Sequence, residues 1–97
     1  MSAFQIPLIA RPSQTVTVQL GTLNSRIKVY QKRTGLYLDL HVNNRAVVLG
    51  VLCRDRVYLL RGIDPTFQGD LCFVDTQGLD DPVYSGLADR FQLLWNL

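Results

Sequence analysis

The chain has 97 residues and a mass of 11.0 kDa, a size that suits one compact domain rather than two. Hydrophobic residues make up 47% of it and charged residues 19%, which excludes a wholly disordered chain, because such chains lack the apolar surface to offset backbone ordering. The formal net charge of +2 is too small to indicate nucleic acid or an anionic membrane as the partner.

The residue types favour β-structure. All eight acidic residues are Asp, and Ala occurs four times, so the strong helix formers Glu and Ala are scarce. Val, Thr and aromatic residues, which favour strands, are plentiful. We therefore predict an all-β fold, a small antiparallel β-barrel or sandwich of about six to seven strands with an extended N-terminal strand.

The first segment is predicted to form an arm. Residues 4–9 include Pro7, which cannot donate to a β-ladder, so the segment suits an edge strand or a strand laid against another surface. We divide the chain into an N-terminal strand or arm over 1–13 and a single β domain over 14–97. The strand in this arm could pair within its own chain or with the sheet edge of a neighbour.

Alternation of apolar and polar residues predicts the next three strands, over 14–20, 26–31 and 36–42. A four-residue loop over 32–35, with Gly35 placed for positive φ, joins the second of these to the third. The register that sets apolar side chains opposite one another on one face is Gln31–Leu36, Tyr30–Tyr37, Val29–Leu38, Lys28–Asp39, Ile27–Leu40 and Arg26–His41. On the other face it sets ring against ring and opposite charges together, as cross-strand pairing rewards.

A second tight hairpin turn is predicted at residues 43–44, because asparagine tolerates the left-handed conformation. This turn predicts the pairs Leu40–Val47, Leu38–Leu49 and Leu36–Val51. The following strand, over 46–53, is apolar on both faces. Val48 and Leu52 therefore need cover from a later segment or from another subunit.

Two further strands are predicted near the C-terminus, over 70–75 and 90–97. The long stretch 76–89 between them, rich in Gly, Asp and Pro, is predicted to be a loop. Residues 57–60 could form a strand or one helical turn. The side chains that share one face of the final strand are Phe91, Leu93 and Trp95.

Catalytic and metal sites are not predicted. His41 is the single histidine, and its place on the solvent face of the hairpin indicates a solvated side chain rather than a base. Asp75, Asp80 and Asp81 lack the spacing of a calcium loop, and we predict a solvated β-turn with local Asx hydrogen bonds. Cys53 and Cys72 are expected to be reduced buried thiols, too few with one histidine for a structural zinc site. We predict no cofactor.

The solvent face of the first hairpin leaves a second interpretation open. Stacked aromatic rings beside cations are typical of surfaces that bind single-stranded nucleic acid. The rings are Tyr30 and Tyr37, and the cations are Arg26, Lys28, Lys32 and Arg33. Because the aspartates dilute the positive field, we rank nucleic-acid binding second to assembly through apolar contacts.

Membrane insertion and export are not predicted either. The N-terminus lacks the basic region and long apolar run of a signal peptide. The longest run of apolar residues and glycine, over 46–53, is far shorter than the ~20 residues of a membrane helix. We therefore expect a soluble product with no membrane partner.

Several short motifs resemble those of a known family, the small baseplate plug proteins of contractile-tailed bacteriophages. They are the start Phe4-Gln5-Ile6-Pro7-Leu8, the stretch Gly69 to Asp75, the turn Asp80-Asp81-Pro82 with Tyr84 and Gly86-Leu87, and the aromatic strand Phe91 to Trp95. The resemblance spans nearly the whole chain. The chain departs from the family pattern at 53–56, where a Gly-rich acidic turn is expected, and at Ser85, where an acidic residue is common.

The resemblance implies a structural protein without enzymatic activity in the tail baseplate of the virion, assembled in the host cytoplasm. It implies closing or lining the central tube near the hub, with partners that include copies of the chain in a three-fold or six-fold set and hub, spike or tail tube proteins. We expect these contacts to use apolar residues of the arm and of otherwise outward strand positions. The selected residues are Phe4, Ile6, Leu8, Val48, Leu52, Leu94 and Trp95.

Overall fold

A computed structural model describes residues 3–87 and 89–96. Within these residues the chain forms seven strands and one 3₁₀ turn. In chain order they are β1 (Ala3–Ile6), β2 (Ser13–Leu20), β3 (Leu23–Lys32), β4 (Gly35–Val42), β5 (Arg45–Leu52), β6 (Asp70–Asp75), the 3₁₀ turn (Tyr84–Gly86) and β7 (Phe91–Asn96). The all-β prediction is confirmed. Across those two ranges, no helix has the length and apolar character that crossing a bilayer requires.

The strands form two antiparallel sheets, one in the order β2-β3-β4-β5 and one in the order β1-β7-β6. Neither sheet closes on itself, so of the two predicted architectures the sandwich is the one observed. Every neighbour in the four-stranded sheet is also the next strand in sequence. The three-stranded sheet instead brings the first and last strands of the chain together.

The predicted β3–β4 hairpin is confirmed pair by pair. All six predicted partners face one another, from Gln31–Leu36 to Arg26–His41. The ladder extends further than predicted, because Lys32 also pairs with Gly35 and leaves a turn of two residues instead of four. Inward side chains of both strands, such as Val29 and Leu38, are fully buried.

The β4–β5 register was predicted wrongly beyond its turn. The turn itself has the expected left-handed residues, Asn43 at φ 51° and Asn44 at φ 66°. Two irregularities follow. The observed pairs are Leu40–Val48 and Leu38–Val51, where a regular ladder would have given Leu40–Val47, Leu38–Leu49 and Leu36–Val51.

The first irregularity inserts Val47 between the pairs His41–Ala46 and Leu40–Val48. Gly50 and Asp39 account for the second, between Leu40 and Leu38. Gly50 has φ +67°, and its backbone N–H donates to Asp39 Oδ1 at 2.6 Å rather than to a strand carbonyl. A carboxylate thus replaces a ladder acceptor, and β5 gains residues without partners on β4. The prediction assumed a regular ladder and placed Leu49 over the core, whereas its side chain is 63% exposed.

The core lies between the two sheets. Alternate residues of five strands point inward and are buried, as period-two patterning requires. These are Ile6 of β1, Ile27 and Val29 of β3, Leu36, Leu38, Leu40 and Val42 of β4, Leu71 and Phe73 of β6, and Phe91 and Leu93 of β7. Phe73 is the largest fully buried side chain.

The segment between β5 and β6 covers the outer edge of β6. Residues 57–60 form neither of the predicted alternatives, strand or helical turn, but irregular backbone with bends at Leu59 and Leu60. The backbone N–H of Leu59 donates to the carbonyl of Leu71 at 2.9 Å, and that of Arg56 donates to the carbonyl of Phe73 at 2.7 Å. The polar groups on this side of β6 are therefore already bonded.

The first strand pairs within its own chain. Phe4 lies opposite Trp95 of β7, and the ladder ends before Pro7. In the connection to β2, the side chain of Gln14 accepts from the backbone N–H of Ile9 at 3.0 Å and donates to its carbonyl at 2.6 Å. These bonds fasten the connection to β2.

Candidate assembly surfaces

The seven predicted contact residues do not form a single patch. Ile6 and Leu8 are buried in the core of their own chain, so a partner reaches them only if β1 leaves its sheet. Phe4, by contrast, is 47% exposed and lies opposite the half-buried Trp95, whose Nε1 donates to the carbonyl of Gln68 at 2.9 Å. Phe4 and Trp95 thus present a partly exposed aromatic pair.

The other three predicted contact residues are half-buried and lie apart. Val48 packs against the core. Leu52 is on the outer face of the four-stranded sheet opposite Tyr37, and Leu94 lies opposite Gln5 in the three-stranded sheet. Participation of these residues in subunit contacts stays a prediction.

Other apolar side chains are exposed although the sequence did not predict it. They are Ile9, Leu49, Tyr58, Ile63, Leu79 and Val83. All except Leu49 lie outside strands, where no period-two pattern indicates which side chains face solvent. Leu49 is exposed because the first irregularity of β5 turns Val48 inward opposite Leu40, so the residue after it points outward.

Among the grooves on the surface of residues 3–87 and 89–96, two adjoin the arm and the long loop after β6. The first, of about 330 Å³, lies between the connection Pro7–Arg11 and the start of β2, Ser13–Val16. The second, of about 450 Å³, is formed by residues between Gln77 and Phe91, with Asp80, Asp81 and Asp89 in its lining. The first groove is beside the arm that the sequence predicts to be the contact segment.

A buried ion pair ties the long loop after β6 to the start of β7. Arg90 donates from Nε to Asp75 Oδ1 at 2.8 Å and from Nη2 to Oδ2 at 2.7 Å. Asp75 is 1% exposed and also accepts from the backbone N–H groups of Gln77 and Asp80, each at 2.9 Å. The hydrogen bonds from Arg90, and then those from the backbone, hold the pKa of the Asp75 carboxyl well below its usual range.

Solvation of Asp75 was therefore predicted wrongly, whereas the predicted local Asx bond is present, from the backbone N–H of Gln77 to Asp75 Oδ1. Its carboxylate is buried and bonded by a side chain 15 residues later in the chain. The sequence shows a run of turn residues but no sign that Arg90 folds back onto it. The loop is fixed by charge-assisted hydrogen bonds.

The tyrosine pair of the β3–β4 hairpin is present, but lysine side chains lie over its rings. The ring centroids of Tyr30 and Tyr37 are 6.1 Å apart at an interplanar angle of 20°. Lys32 Nζ lies 5.5 and 5.3 Å from the two centroids, and Lys28 Nζ lies 5.4 Å from that of Tyr30. The Tyr30 hydroxyl donates to Asp39 at 2.8 Å; burial, followed by this bond, raises the pKa of Tyr30. A stacking base would have to displace these lysines.

The remaining reactive residue types are held in unreactive settings. Both cysteines are buried and free. Burial raises the pKa of the Cys53 thiol to about 12 and also raises that of Cys72, so both remain protonated near neutral pH. His41 is half-buried opposite Arg26. No group of three or more metal-binding side chains occurs in the part of the chain that the structure describes.

Comparison with known families shows which family the chain belongs to. The family described as cyanophage baseplate Pam3 plug gp18 matches residues 3–97. The chain belongs to this baseplate plug family. No curated protein matches the chain.

Membership confirms the resemblance drawn from the sequence motifs. It places the protein in the tail baseplate of a phage virion, as a structural component that associates with other baseplate parts. The matched range includes both the arm and the C-terminal strand. Both sheets of the sandwich are therefore part of the family pattern.

Proposed function

We propose that this baseplate plug protein closes or lines the central channel of the tail, as a set of identical copies held to hub, spike or tube proteins by surface contacts. The family match over residues 3–97 carries this proposal. Three-fold and six-fold sets are both compatible with a closed ring around a tail axis.

Exposed apolar surface on the sandwich supports a role through contacts. Phe4 beside Trp95, and Ile9 beside the groove at the start of β2, are partly exposed side chains on or next to the arm. Aromatic side chains are common anchors of protein interfaces, and exposed apolar patches mark interaction sites. We propose that Phe4 is the central contact of this region.

We propose that the protein has no catalytic activity. A general acid or base needs a pKa near the working pH and a free path to substrate. Asp75, the one buried carboxylate in residues 3–87 and 89–96, is held ionised by Arg90 and by backbone donors. The two thiols are kept protonated by burial.

Replacing Phe4 tests the contact role. Phe4→Asp should abolish co-sedimentation of the purified chain with the hub and tube proteins of the same phage, since an exposed contact of stable size buries roughly 1,000 Å² or more. The thermal melt should change little, because Phe4 is about half exposed. Leu79→Asp, at a more exposed apolar side chain in the loop after β6, is the matched control and should bind normally.

Two results would contradict this proposal. One is a native chain that binds neither itself nor any hub or tube protein. The other is tight binding of single-stranded oligonucleotides that weakens steeply with added salt and is lost in Tyr37→Ala, which would favour the nucleic-acid alternative. The native chain should show no such binding.

A further inference from the structure

The edge strands of the two sheets are protected to different degrees. In the described residues the edges are β1 and β6 in one sheet and β2 and β5 in the other. β6 is covered by the preceding segment, which bonds to it through Leu59 and Arg56. β1 has four residues and is followed by Pro7, and β5 is bulged at Gly50. Shortness, proline and bulges are the devices by which natural sheets avoid edge-to-edge pairing.

β2 has no proline and no bulge, although the connection Pro7–Arg11 lies beside its first residues, Ser13–Val16, across the groove of about 330 Å³. It is eight residues long and contains no charged residue, proline or glycine. Its ladder with β3 is regular over all eight pairs. A long, regular, uncharged edge is a template for another strand, so β2 is the edge of this molecule that requires a partner.

The hydrogen-bond phase shows which groups face outward. The two-residue turn after β2 closes on the pair Leu20–Leu23, and at the other end Gln31 N–H donates to the carbonyl of Pro12 at 2.7 Å. Bonds to β3 therefore involve every second residue, the even-numbered ones. The N–H and C=O groups of Thr15, Thr17 and Gln19 point away from β3. No backbone or side-chain partner bonds to them within residues 3–87 and 89–96.

We propose that β2 pairs with β2 of a second copy, antiparallel, about a two-fold axis at Thr17. This inference rests on the self-association proposed above and specifies its contact. The pairing joins two four-stranded sheets into one. The expected pairs, one residue from each copy, are Thr15–Gln19, Thr17–Thr17, Gln19–Thr15, Val16–Val18 and Val18–Val16.

The chemistry of β2 favours its own copy as the occupant. In this register the three outward residues of each copy face one another as hydrogen-bonded pairs, and each such pair exchanges two bonds. Val16 and Val18, both half-buried and packed against the core, meet their counterparts on the inner face beside the groove of about 330 Å³. No like charges come together, because β2 carries none.

Two-fold pairing also bears on the number of copies. A β2–β2 contact uses the same surface on both subunits, so it joins copies in pairs. A ring around one axis is closed by head-to-tail contacts instead, so the β2–β2 pair is a second kind of contact, one that joins two copies, and it is equally compatible with three-fold and six-fold sets.

A proline at position 17, on the proposed two-fold axis, distinguishes loss of the β2–β2 contact from loss of folding. Thr17→Pro removes an N–H that faces outward, so the β2–β3 ladder keeps all its bonds. We expect the thermal melt to survive and the dimer dissociation constant, measured by analytical ultracentrifugation, to rise on the order of thirtyfold or more. Thr17→Ser keeps the N–H and is the matched control; it should associate like the native chain.

Cysteine cross-linking tests the register and does not depend on the proline variant. Thr17→Cys should form a covalent dimer on oxidation, because hydrogen-bonded partners have Cα atoms ~5.5 Å apart. Thr15→Cys alone should not, since the two equivalent positions lie roughly 13 Å apart along the strands. An equimolar mixture of Thr15→Cys and Gln19→Cys should cross-link. The native cysteines are buried, and the unmodified chain controls for them.

Each outcome decides between the two proposals. A folded Thr17→Pro that associates as well as Thr17→Ser overturns the β2 pairing but leaves the proposed baseplate role intact. So does a Thr15→Cys chain that cross-links with itself as readily as Thr17→Cys, or a native monomer that still binds the hub. A native chain that binds neither itself nor the hub overturns both.

Discussion

The two sheets of the sandwich are specified in different ways. The four-stranded sheet joins consecutive strands through short turns, so each pairing is local in sequence and shows in the alternation of residues. The three-stranded sheet joins residues 3–6 and 70–75 to residues 91–96, across nearly the whole chain. Its position depends on polar contacts that no local pattern reveals, above all the bonds of Arg90 to Asp75. Local patterning thus sets one layer, and long-range hydrogen bonds set the other.

The largest expected effect is unfolding caused by a substitution at the centre of the four-stranded sheet. Leu38→Asp places a carboxylate at a fully buried position between Val29 and Val51, where it has no partner. Burying an unpaired charge costs more than ~4–5 kcal/mol, the destabilisation above which a single mutation is exceptional. The chain should therefore not fold. Circular dichroism and thermal melting measure this. A cooperative melt near that of the native chain would contradict the register.

The next largest effect is expected in the long-range layer. Arg90→Ala leaves the Asp75 carboxylate buried without its cation, which costs more than the pair contributes when intact. We expect a clear drop in the unfolding midpoint, with hydrogen exchange fastest in β6, β7 and the loop between them. Arg90→Lys retains the charge but not the two-pronged geometry and should fall between. Equal loss of protection in β3 and β4 would contradict the separation of the two layers.

Acid should weaken both layers through depressed carboxyl pKa values. The pKa of Asp64 is lowered to about 2 by hydrogen bonds from Thr66 and then Arg45, and that of Asp75 is lowered by Arg90. A carboxyl that is more acidic in the folded state stabilises it above the unfolded pKa of ~3.9 and loses that contribution as pH falls. Urea unfolding at pH 7, 4 and 2.5 should show stability falling chiefly below pH 4.

Variants assign the acid sensitivity to its source. Asp64→Asn removes the titrating group that binds Arg45 at the start of β5, so the decline below pH 4 should become shallower. Asp75→Asn should make it shallower too, at the expense of lower stability at pH 7, since the buried partner of Arg90 is then neutral. A decline identical in all three chains would show that other groups control acid unfolding.

Prediction from the sequence succeeded where the residues that determine a feature lie close together. The β3–β4 register followed from matching faces across one turn, and Asn43 and Asn44 indicated the next turn correctly. It failed along β5, where the ladder shifts once before Val48 and again at Gly50. At Gly50, Asp39 reaches across to replace a ladder acceptor, and a side-chain bond of that kind leaves no periodic signal. Asp75 was misjudged for the same reason, since its partner lies 15 residues away.

The surfaces were harder to predict than the strands. The sequence marked Ile6 and Leu8 as contact residues because they precede a flexible-looking connection, yet they are buried in the core. It did not predict β2 as a contact strand, because the alternation of apolar and polar residues in β2 is that of an ordinary half-buried strand. Whether β2 is an edge depends on the order of all the other strands in the sheets. The eight residues of β2 alone do not contain that information.

The smallest expected effect tests the two faces of the local layer against each other. Lys28 lies opposite Asp39, but Asp39 binds Tyr30 and Gly50 instead, and Lys28 Nζ lies over the Tyr30 ring. Lys28→Ala therefore removes an exposed cation–π contact and should lower the free energy of unfolding by less than about 1 kcal/mol. Urea unfolding measures it. A loss comparable to that of Leu38→Asp would mean that the solvent face of the hairpin is buried, and the assignment of its two faces would fail.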